Sequence, residues 1–79
     1  MEKRIAIISI IVESSAQTEK INALLHDFKS YIKGRLGIPE VNLGVSVICI
    51  IMDAPADIIN GVTGKVGMIE GVKAKTLIR

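Results

Sequence analysis

Aromatic side chains are almost missing from this sequence. Phe28 and Tyr31 are the whole supply, and there is no tryptophan. RNA-recognition modules stack bases on aromatics carried by central strands. The two strongest apolar runs here, "IAIISIIV" (5–12) and "VSVICIIM" (45–52), have none. A net charge of +2 gives no electrostatic footprint for nucleic acid either, so no direct nucleic-acid partner is expected. Cysteine occurs once, as Cys49, and no disulfide can close within the chain, which fits a reducing compartment. Histidine also occurs once, as His26. The two make a poor ligand set, since a tetrahedral site wants three or four, so no metal site within one chain and no cofactor is expected, and a metal site shared between subunits through His26 is the alternative. A second histidine and an acid pair at recognisable spacing are both lacking, so the chain is not expected to be an enzyme.

Two motifs fail on inspection. "GVTGKVG" (61–67) imitates a phosphate loop, but Ile59 stands where the first glycine belongs and Val66 where Ser or Thr should follow the lysine. Lys3 and Arg4 before Ile5–Val12, with "SSA" at 14–16, imitate a signal peptide. The apolar run is short and is flanked by Glu2 and Glu13, so a cytoplasmic protein is expected. No segment reaches the roughly 20 apolar residues of a membrane span, and no membrane partner is expected.

What is present is aliphatic. Hydrophobic residues make up 49% and charged residues 23% of 79, enough for one folded domain spanning 1–79. "KRIAIISIIV" (3–12) reads as a strand buried on both faces. Helical spacing follows, with Ile21, Leu24, Leu25, Phe28 and Ile32 on one side and Ser14–Gln17 as a capping box. A short strand near Lys33–Ile38 leads into a loop, and "VSVICIIMD" (45–53) is the third strand. Asp53 is suited to cap the second helix and Pro55 to its first turn, with Ile58, Ile59, Val62 and Val66 on one face. A turn at Glu70-Gly71 opens the last strand.

The order β-α-β-β-α-β is that of the ferredoxin-like α+β sandwich: a four-stranded antiparallel sheet, order 4-1-3-2, with two helices on one face. That order puts the two apolar runs at the centre. Two helices cover one face only, which leaves an aliphatic face bare. A homo-oligomer, dimer or tetramer, through that open face is expected. Alternation alone does not say whether Ile8 and Ile50 or Ile7 and Ile51 face outward.

If Leu36 and Ile38 face the helices, Lys33 and Arg35 join Lys73 and Lys75 on the open side. The result would be a cationic rim suited to a small anionic ligand, unless Glu40 and Glu70 neutralise it. Arg35 is the leading contact because its planar fork suits carboxylate or phosphate. At about 100° per residue, His26 lies off the apolar helix face beside Asn22, Lys29 and Ser30, as an exposed or interface residue.

"INALLHDFKSYIKGRLGIP" (21–39) and "DAPADIINGVTGKVGMIEGVKAKT" (53–76) resemble the iron-only hydrogenase system regulator family. The specific parts are His26 through Gly37 and Pro39, "TGKVG" (63–67) leading to "GVKAKT", and the "IEGV" turn. The resemblance implies an ACT-like ferredoxin fold, similar to the regulatory domain of the nickel-responsive repressor, a homo-oligomer and a regulatory role. His26 and Cys49 lack the companions of the nickel repressor's metal site, and "VESSAQ" (12–17) lacks the glycine of many amino-acid-binding ACT domains. The expected function is a small regulatory or ligand-sensing domain without its own DNA-binding head. The alternative is an assembly or protein-interaction module with no small ligand.

Overall fold

The computed structural model describes residues 2–14, 17–42 and 44–79, with backbone alone at 40 and 41. The elements run β1 (Lys3–Val12), α1 (Thr18–His26), β2 (Ile32–Asn42), β3 (Val45–Pro55), α2 (Ala56–Gly67) and β4 (Val72–Ile78). A single 3-10 turn, Lys29–Tyr31, joins α1 to β2. All strand pairs are antiparallel, and the sheet order is β2-β3-β1-β4. This is the ferredoxin-like order expected from the sequence, with the two apolar runs at the centre.

The register decides which side chains meet the helices. Ala6, Ile8, Ile10 and Val12 of β1 sit opposite Met52, Ile50, Ile48 and Ser46 of β3. Those β1 side chains, with Ile48, Ile50, Met52 and Ala54, are buried. Ile21 and Leu25 of α1 and Ile59, Val62 and Val66 of α2 close over them. The alternation of one-side burial is what a strand with a single covered face must show. α2 lies against β4, β3 and β1, and α1 packs on α2. The helix-side surface of β2 is left with the thinnest cover.

Side-chain ties fix α2 in place. Thr63 Oγ1 donates to the Ile59 carbonyl at 2.9 Å and lies 2.5 Å from Thr76 Oγ1 on β4. With the one Thr63 proton already used, Thr76 is the donor of the second bond. Lys65 Nζ stands 5.3 Å from the Phe28 ring centroid, a cation–π contact from α2 to the end of α1. The β4 approach turns at Gly71, whose φ of 78° suits a residue without a Cβ, and its carbonyl accepts from the Glu13 N–H at 2.9 Å.

Several local expectations change. α1 ends at His26, and Ile32 begins β2 rather than completing a helical face. Gln17 is the N-cap of α1 without a side-chain bond, and its N–H donates to the Ser14 carbonyl. Asp53 lies inside β3 opposite Ile5, and Pro55 is the N-cap of α2, not its first turn. The loop expected after Ile38 is instead the far half of β2, which runs on to Asn42.

Candidate functional site

The second strand carries the main correction. Ile32 pairs with Met52, but Gly34 pairs with Ile51, so Lys33 is an extra residue without a partner in β3. A bulge of one residue exchanges the faces of everything after it. Leu36 and Ile38 therefore share the open face with Cys49 and Val47, and Arg35, opposite Ile50, is on the helix side. The rim of four cations on one face does not form. Lys73 and Lys75 are on the open face, opposite Ile11 and Ser9. Lys33 sits in the bulge.

The carboxylate that meets this rim is Glu13, whose Oε1 is 3.9 Å from Lys73 Nζ in an exposed pair. Glu70 had been the candidate near β4, and the Glu40 side chain lies outside the described residues. A pair this open to water contributes little.

The open face is an aliphatic floor. Eight large hydrophobic side chains are exposed among the described residues, and seven share this face: Ile5, Ile7, Ile11, Leu36, Ile38, Ile51 and Leu77. Their exposed surface is on the order of 600 Å², at the top of the roughly 300–600 Å² of the largest patch on a typical monomer. Ile7 and Ile51 are the outward pair, and Ile8 and Ile50 are 0% exposed under the helices. Half-buried Cys49 lies among them, opposite Ser9 and Leu36. Both sheet edges resist strand addition. β4 carries Lys73 and Lys75, and β2 is broken by the Lys33 bulge and by an irregularity between Ile38 and Asn42 that holds Pro39.

On the helix side, the thin cover over β2 leaves a groove. A cavity of about 270 Å³ between α1 and β2 is lined by Asn22, Leu25, His26, Lys29, Ile32 and Arg35. The Arg35 guanidinium donates to Asn22 Oδ1 across it. Arg35 also borders a larger cavity of about 620 Å³ that runs over Gly37, Ile38 and Pro39 toward Thr18. The structure thus brings together His26 and Arg35, which the sequence offered as separate candidates, and adds Asn22 and Lys29. Those two are the neighbours that helical spacing gives His26. Among the described residues no three His, Cys, Asp or Glu side chains come together in a metal-binding group. No helix among them is long and apolar enough to cross a membrane.

These features define a small ferredoxin-like α+β domain with one helix-covered and one bare sheet face. A family model described as "TM1266-like: Iron-only hydrogenase system regulator, putative" matches residues 4–76, and the chain belongs to that family. The solved structure of the uncharacterized protein TM1266 from Thermotoga maritima is 33% identical, covers 98% of each chain and aligns with a TM-score of 0.91. No curated protein matches the chain.

Proposed function

We propose that the chain is a regulatory domain of an iron-only hydrogenase system, non-catalytic, that works as a homo-oligomer assembled through its open sheet face. The observation that carries the assembly is the clustering of seven exposed aliphatic side chains on one face. A standard interface removes about 800 Å² per partner, of which the apolar patch alone would supply about 600 Å². Blunted edges leave face-to-face packing as the available mode, with sheets about 10 Å apart and side chains interdigitated. The regulatory role rests on family membership.

A second reading, a module that only assembles, is favoured by the same face, since nothing about that face calls for a small ligand. The groove between α1 and β2 favours ligand sensing. Native mass spectrometry separates them by reading stoichiometry and bound small molecules together. An even-numbered assembly is expected, and a monomer at micromolar concentration overturns it. In a host that carries both, loss of the chain should change the amount or activity of iron-only hydrogenase. Unchanged hydrogenase removes the regulatory reading.

A further inference from the structure

Arg35 is held by a neutral partner, and no ion pair joins it to a carboxylate among the described residues. It donates to Asn22 Oδ1, and among the described residues no carboxylate lines the cavity it shares with His26 and Lys29. The lining brings together a guanidinium fork, an ammonium, an imidazole and a carboxamide over the aliphatic floor of Leu25 and Ile32. Donors of this kind satisfy a tetrahedral oxyanion, and Arg presents two parallel N–H groups to it. The C-terminal end of α1 is near, and bare carbonyls there would repel an anion. The Leu24 and Leu25 carbonyls already accept from the Asp27 and Phe28 N–H groups at 3.2 and 3.0 Å.

A second observation extends the site. Gly37 lies on the helix side of β2, opposite Ile48, and a Cβ built there would meet nothing within 4 Å. Bare backbone with open space above it continues from Arg35 along the larger cavity. A ligand fixed by an anionic group at Arg35 has room for an uncharged body over Gly37 and Pro39.

We propose that the groove between α1 and β2 binds a small phosphate ester, with the phosphate on Asn22, His26, Lys29 and Arg35 and the remainder over Gly37. This rests on the ligand-sensing reading for its purpose, but every residue named lies in one chain, so binding does not require assembly.

The test is calorimetric titration of the full chain with inorganic phosphate and with glycerol 3-phosphate, at constant ionic strength set with chloride. Both should bind, the ester more tightly. Arg35→Ala should weaken both at least tenfold. Lys75→Ala, which removes the same charge on the opposite face, should leave both unchanged. Gly37→Val, whose Cβ meets nothing within 4 Å and whose methyls enter the groove, should keep phosphate binding and remove the ester's advantage. Equal losses in Arg35→Ala and Lys75→Ala would show a diffuse field and overturn the site. So would no binding of phosphate, or tighter binding of succinate than of either probe. An ester no tighter than phosphate overturns the role of Gly37. Ile7→Lys, a variant blocked in assembly, should bind phosphate as the parent does. Failure of the site therefore leaves the oligomer standing, and failure of the oligomer leaves the site.

Discussion

Replacing Ile7 by lysine separates assembly from folding. Ile7 is on β1, between Ile51 of β3 and Leu77 of β4, in the middle of the aliphatic floor. It leaves 38% of its surface open, about 75 Å², which at about 25 cal/mol per Å² corresponds to about 2 kcal/mol once a partner covers it. A two-fold interface contains the residue twice, so about 4 kcal/mol is lost, or about three orders of magnitude in Kd. An ammonium held in a dry interface adds several kcal/mol more. In the separated subunit the lysine stem lies along the same aliphatic surface with its charge in water, and folding loses only about 1–2 kcal/mol.

Ile8→Lys, one residue on, points to the core. Ile8 is 0% exposed, and a buried, unpartnered charge there exceeds much of the total stability of about 4–12 kcal/mol expected for a chain of this size. Light scattering over a dilution series, beside far-UV circular dichroism, reads both outcomes. Ile7→Lys should be folded and dissociated, and Ile8→Lys unfolded. A parent chain that is monomeric at ten micromolar, or an Ile7→Lys variant with the parent's Kd, refutes the reasoning.

Other substitutions test the packing. Leu25→Ala empties a site 2% exposed beneath α1 and should cost about 2–5 kcal/mol in urea unfolding, where a loss below 1 kcal/mol would mean the helix collapses onto the gap. Gly71→Val forces a β-branched residue to φ 78° at the turn into β4 and should cost about 1–2 kcal/mol, read as a fall in Tm of roughly 4–16 °C. Glu13→Gln breaks the exposed pair with Lys73 and should change stability by less than about 0.5 kcal/mol, so a larger loss would reveal a buried role for that carboxylate.

The central strands were legible because Ile and Val recur on both of their faces, which only inner strands of a sheet tolerate. The second strand was not. "KGRLG" (33–37) has two glycines that say nothing about orientation, and Leu36 and Ile38 fit either face. The extra residue at Lys33 chose the face, and no periodicity shows a bulge of one. Arg35 was named as a candidate on the wrong side for the same reason. The pairing of His26 with Asn22 and Lys29 could be read from helical spacing. Their approach to Arg35 depends on how α1 sits over β2, which is a tertiary fact. The extent of β2 beyond Ile38 was hidden by Pro39, which an edge strand accepts at an irregular position.

The position of β1 at the centre of the sheet has a consequence for synthesis. Its partners are β3 and β4, so Ala6 waits for Ile78 and Ile7 for Leu77. A ribosome adds about 5–20 residues per second, and the stretch from Val12 to Ile78 takes roughly 3–13 s. Until Pro55 is made the most isoleucine-rich segment of the nascent chain has neither of its neighbours, and from there to Ile78 it has β3 alone. It is a β-prone run without a charge between Ile5 and Val12, the kind of sequence that pairs with strangers. Lys3, Arg4 and Glu13 at its two ends are the charges that guard it until β4 arrives.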